Sequence, residues 1–140
     1  MKSTIPLALL LVSSLLLGSC KKFIEKKAEN AVLSIMTNGY WYVSGYKQND
    51  SDITASFSGY LFKFDANNTV TGTKANTSVT GHWEVNIANR TITSDFPGAT
   101  EPVSLLNATW TIRDSYTDSV SAWSIDTVKH TTNILQLKKQ

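Results

Sequence analysis

The stretch Val79-Thr80-Gly81-His82-Trp83-Glu84-Val85-Asn86-Ile87 alternates between two sets of residues without a break. In an extended chain successive side chains point to opposite faces. One face then carries Val79, Gly81, Trp83, Val85 and Ile87, and the other Thr80, His82, Glu84 and Asn86. A helix would scatter both sets around its circumference, whereas a strand buries one and wets the other. The same period continues on either side. Upstream, residues 56–64 place Tyr60, Phe62 and Phe64 on one face. The turn Asp65-Ala66-Asn67-Asn68 follows, because Asp and Asn tolerate left-handed backbone, and residues 69–74 return as the partner strand. Downstream, Ala88-Asn89 turns into residues 90–96, and Pro97-Gly98 breaks the chain. Residues 103–113 set Leu106, Ala108, Trp110 and Ile112 together, 119–126 carry Trp123 and Ile125, and 131–138 close with Leu135 and Leu137. With the aromatic segment 39–46, this makes about eight short strands, the pattern of an all-β sandwich or barrel whose neighbours run antiparallel. Trp41, Phe62, Phe64, Trp83, Trp110 and Trp123 fall on the faces assigned inward.

Before residue 39 the period changes. Ile24, Ala28, Ala31 and Ile35 are spaced by four, three and four, on one face of a helix over 22–37. Glu25 and Glu29 can meet lysines on neighbouring turns. Asn38-Gly39 is a helix stop, since glycine accepts the left-handed conformation. The apolar face is modest, which suits a short linker helix better than a membrane-inserted one.

Further upstream, Lys2 precedes an apolar run from Ile5 to Leu17, which ends in Leu17-Gly18-Ser19-Cys20. The run is short and abruptly ended, as in a removable secretory signal. The tetrapeptide resembles the lipobox of bacterial lipoproteins. The resemblance implies that the chain is cut before Cys20, that its thiol carries a diacylglyceryl group and that its new amine is acylated. Three acyl chains anchor a protein stably, since two lipid signals already suffice. The expected organisation is a signal peptide over 1–19, a lipidated N-terminus and linker helix over 20–38, and one β-domain over 39–140. Lys21, Lys22, Lys26 and Lys27 would lie beside the headgroups, either reinforcing the anchor or serving as a solvated linker. The acidic run that some surface-exported lipoproteins carry after the cysteine is missing, so the expected location is the outer membrane, facing the periplasm.

The formal charge of +2 is close to balanced and does not suggest nucleic-acid binding. Cys20 is the one cysteine, so no disulfide or cysteine-based metal site is expected. The domain must hold itself together by its own core.

From residue 39 onward the chain resembles the lipocalin-like domain of Gram-negative lipoproteins. Gly39-Tyr40-Trp41 looks like the family's Gly-x-Trp first strand. Phe62-Lys63-Phe64-Asp65-Ala66-Asn67-Asn68-Thr69-Val70 looks like its aromatic strand, turn and following strand. Gly81-His82-Trp83-Glu84-Val85 looks like its midway Gly-x-Trp strand. Trp110-Thr111-Ile112 and Leu135-Gln136-Leu137-Lys138 match its closing strands. The implied fold is an eight-stranded antiparallel barrel, and the implied activity is binding a small hydrophobic or amphiphilic molecule. A barrel of this strand number is just wide enough to be filled by side chains or to hold one small ligand. The aromatic set Trp41, Phe62, Phe64, Trp83, Trp110 and Trp123 either lines a pocket or fills the core.

Chemistry beyond this is sparse. His82 and His130 lack metal-ligand spacing. There is no Gly-x-Ser-x-Gly elbow and no Gly-rich phosphate loop, so neither an enzyme nor a cofactor is expected. Asp50 with Asp52, and Asp114 near Asp118, read as solvated turns. Asp118-Ser119-Val120 and Asp126-Thr127-Val128 resemble an O-glycosylation triplet of exported bacterial proteins, at Ser119 and Thr127. Two functions remain open: a membrane-anchored monomer that captures a small hydrophobic ligand, or a filled-core lipoprotein that contacts an envelope protein or a glycan. For the second, Tyr40, Tyr42 and Tyr46 are the expected exposed aromatics.

Overall fold

The computed structural model describes residues 13–140. The start of the expected leader, including Lys2 and most of the apolar run, lies outside the described residues. Helix α1 spans Ser13–Thr37, and Gly39, at φ +92°, turns the chain out of it. The strands are β1 Trp41–Gln48, β2 Ser51–Asp52, β3 Leu61–Phe64, β4 Thr69–Lys74, β5 Thr77–Asn86, β6 Thr91–Asp95, β7 Ala108–Ser115, β8 Ser119–Asp126 and β9 Thr131–Lys139. From β3 to β9 each strand pairs antiparallel with the next. β1 pairs with β9 from Trp41↔Lys139 to Gln48↔Asn133, and meets β3 at Trp41↔Phe62. The result is the expected closed eight-stranded antiparallel barrel, with the two-residue β2 hydrogen-bonded alongside β1. β1 thus pairs along its length with β9 and at one residue with β3, and β2 pairs with its far end.

Two expected strands begin later than their patterns suggest. Thr54–Phe57 and Val103–Leu106 are single 3-10 turns, which bury Phe57, Val103 and Leu106 before the chain enters β3 and β7. Apolar residues that anchor a turn are indistinguishable from strand residues by period alone.

The core runs along the barrel axis through Trp41, Tyr46, Phe62, Phe64, Trp83, Phe96 and Trp110, with the aliphatic residues Val70, Val120, Leu135 and Leu137 between them. Tyr46, expected outside, is fully buried. The cause is a β-bulge between Val43 and Gly45, where β1 slips by one residue against β9. Val43 faces inward before the bulge, and Tyr46 and Gln48 share the inward parity after it.

Trp123 also departs from expectation. On β8 the buried residues are Val120, Ala122 and Ser124, so Trp123 turns to the outer face. There it lies opposite Ile134 of β9 and Thr111 of β7. Ile125 follows it outward and is 59% exposed. The interior beside β8 is already occupied by Trp110, Leu135 and Leu137, so the small Ala122 and Ser124 fit inward where a second indole would not.

The helix is longer than expected and only part of its expected face is docked, Ile35 packing inward while Ala31 is exposed. Ile24 is 66% exposed, whereas Val32, Leu33, Ile35 and Met36 pack onto the barrel. The last turns of α1 are docked, and Met36 is buried within the core. Among the described residues, no helix is long and apolar enough to cross a membrane.

Candidate functional site

Five of the six aromatic residues expected to line a pocket do lie inside the barrel: Trp41, Phe62, Phe64, Trp83 and Trp110. Trp123 is not among them. Each buried indole N–H is spent on a backbone carbonyl. Trp41 Nε1 donates to Met36 O at 2.9 Å, Trp83 Nε1 to Asp65 O at 3.0 Å and Trp110 Nε1 to Leu106 O at 3.1 Å. The acceptors belong to the end of α1, the β3–β4 turn and the Val103–Leu106 turn. The tryptophans therefore tie three connecting segments onto the barrel, which is how a buried indole is usually satisfied. The rings also pack on one another. Phe64 and Trp83 meet edge to face at 5.2 Å between centroids, Phe62 and Phe96 at 6.1 Å, and Tyr46 and Trp110 at 6.0 Å.

This packing leaves an apolar cavity of about 40 Å³ on the axis. Phe62, Phe64 and Trp110 border it, together with Met36, Phe96 and Leu135. Trp41 and Trp83 are buried away from it. The sequence pattern did not single out Phe96 or Met36. Phe96 sits just past the end of β6, and Met36, in the last turn of α1, lies off the helical face that the period marked.

Both barrel ends are covered. At one, Met36 enters the mouth, and Lys63 Nζ donates to Thr37 O beside it. At the other, the Val103–Leu106 turn lies over β1, where Tyr46 Oη donates to Leu105 O at 2.8 Å. Burial pushes the Tyr46 phenol well above its ordinary range, and the negative charges of Asp126 and Glu101 act the same way. Beside this turn the mouth opens into a second cavity, of about 360 Å³, with polar walls that include Gln48, Ser124 and Asn133.

The acidic loops are self-contained. Thr54 donates its hydroxyl and its backbone N–H to Asp52 Oδ1, at 2.6 and 2.9 Å, and these bonds hold the Asp52 carboxyl below its usual range. Lys129 and Val128 backbone N–H groups do the same for Asp126. Among the described residues, no group of three His, Cys, Asp or Glu is placed to hold a metal ion. His82 and His130 are both exposed, and so are Cys20 on α1, Tyr40 and Tyr42.

No protein-family profile matches the chain, and no curated protein matches it. Among solved structures it is similar to a DUF4847 family protein from Bacteroides vulgatus ATCC 8482. The two share 18% identity over 78% of this chain and 99% of the other, with a TM-score of 0.52. At that identity the likeness extends to the fold alone. It is compatible with a lipocalin-like barrel.

Proposed function

We propose that this chain is an envelope lipoprotein whose barrel is a packed scaffold, presenting its outer faces and loops to a partner rather than enclosing an apolar ligand. The observation that carries this reading is the axial cavity of about 40 Å³. Sites for small organic ligands occupy roughly 300–1,000 Å³, so the present space holds little more than a water. The carrier reading requires Met36 and α1 to leave the mouth and the aromatic rings to repack. On the scaffold reading, exposed Tyr40 and Tyr42 and the outward Trp123 are the side chains available for contact.

The tether is part of the same proposal. Cys20 is the lipidated residue, α1 the linker that leads from it, and the barrel stands as a monomer on the periplasmic side of the outer membrane. An apolar fluorescent probe panel tests the scaffold. No saturable change in tryptophan emission is expected at micromolar probe, and a saturable shift would restore the carrier reading. Metabolic labelling with a fatty-acid analogue tests the tether. Label should enter the wild type and vanish in Cys20→Ser, and equal label in both would refute it.

A further inference from the structure

The barrel mouth opposite α1 is built unlike the rest of the interior. Ser124 and Asn133 face inward from β8 and β9 and are the buried polar side chains among the described residues. Set against aliphatic neighbours, such groups are costly unless hydrogen-bonded. Here they border the polar cavity of about 360 Å³, with Tyr46 and Gln48 of β1 and Leu105 of the covering turn on its walls. That volume falls within the range of small-molecule sites. Asn133 Oδ1 has no hydrogen-bond partner in the protein, and Asn133 Nδ2 reaches Ser124 Oγ only at 3.5 Å. Asn133 Oδ1 is shielded within the fold, so a turn of this side chain toward the cavity would bring the poorly paired amide to hydrogen bonds supplied from there.

The charge distribution narrows what could supply them. Asp126 and Lys129 are the charged residues on the wall, the first ending β8 and the second in the β8–β9 turn. Asp126 Oδ1 already accepts two backbone N–H groups of that turn at 2.9 Å, and Lys129 is exposed. Away from this rim the lining is amide, hydroxyl and aliphatic. Amides pair well with hydroxyls, because each offers both donor and acceptor. Leu105 adds apolar surface for C–H groups.

We propose that this mouth binds a neutral sugar ring, either as a free monosaccharide or as the terminal residue of a glycan. The site depends neither on the Cys20 tether nor on the filled axial core.

The test uses the full chain, labelled with ¹⁵N and held in a detergent without a sugar headgroup. Glucose, galactose, mannose and N-acetylglucosamine are titrated while the side-chain amides of Asn133 and Gln48 are followed by NMR. At least one sugar should shift both signals saturably at millimolar concentration. Gln48→Ala and Ser124→Ala, neither of which adds bulk, should each weaken that sugar by about tenfold, the loss expected for one hydrogen bond. Methyl glycosides then separate the two sources. Retained binding indicates a glycan end, and refusal of the anomeric methyl indicates a free sugar. Absence of a saturable shift with every sugar would overturn the proposal. So would unchanged affinity in both variants, or saturation by zwitterionic alanine and by no sugar.

Discussion

The indole N–H of Trp41 donates to the carbonyl of Met36 at 2.9 Å, across five residues and the bend at Gly39. One residue opens the barrel's first strand and the other lies in the last turn of the helix. Their bond satisfies a carbonyl of the last helical turn, which has no partner within the helix. It also holds the Met36 side chain in the barrel mouth. The closed end of the barrel thus depends on an interaction between neighbours in sequence that belong to different elements.

Trp41→Phe keeps an aromatic ring in place but leaves the Met36 carbonyl unpaired. Stability should fall by about 1–3 kcal/mol. Chemical denaturation measures the loss. An unchanged midpoint would mean that the bond does not hold the helix to the barrel.

Trp83 and Trp123 should behave oppositely. Trp83 is fully buried, and its ring meets Phe64 edge to face. Trp83→Ala should cost about 3–5 kcal/mol, through lost burial and the cavity left behind. Trp123 is on the outer face, so Trp123→Ala should cost about 1 kcal/mol or less. Thermal melts of the two variants side by side provide the check, and similar losses would contradict the assigned facing of β8.

Gly81 of β5 sits against the end of β6. A Cβ there would meet the backbone oxygen of Asp95 and, at 2.8 Å, the Phe96 ring. Backbone cannot yield as a flexible side chain does, so Gly81→Ala should destabilise by about 1–3 kcal/mol. At Gly59 an added Cβ would meet only the flexible Lys74 chain, at 3.6 Å, although its φ of +83° still strains any replacement. Urea midpoints for Gly81→Ala should therefore move while those of an exposed control such as Thr80→Ala stay put.

Tyr46 predicts an alkaline response. The phenol's ordinary value is 10.0, and in the fold it is raised by burial and by the nearby carboxylates. A raised folded value means that the contribution is complete below the unfolded pKa. It is lost as pH climbs through the interval toward the folded one. Wild type should therefore lose stability above about pH 10, more steeply than Tyr46→Phe, which has no proton to release. At neutral pH the variant should be weaker by about 0.5–1.5 kcal/mol, because the bond to Leu105 O is gone. Parallel alkaline slopes in the two proteins would refute this account.

Strand period, turn residues and the Asn38-Gly39 stop determined by themselves that a helix precedes an antiparallel β-domain, sandwich or barrel, and that Phe62, Phe64, Trp83, Trp110 and Leu135 point inward. These are local properties: alternation fixes facing within one strand, and Asn or Gly supplies the turn. Tertiary structure alone decided the rest. The bulge after Val43 reversed parity and buried Tyr46, and the crowding by Trp110 sent Trp123 outward in favour of Ala122. Both follow from how neighbouring strands share a fixed interior volume, which no single strand encodes. For the same reason only the folded chain could show that the aromatic set fills the axis. It also brought Gln48 of β1 beside Ser124 and Asn133 of the β8–β9 hairpin, around one polar mouth.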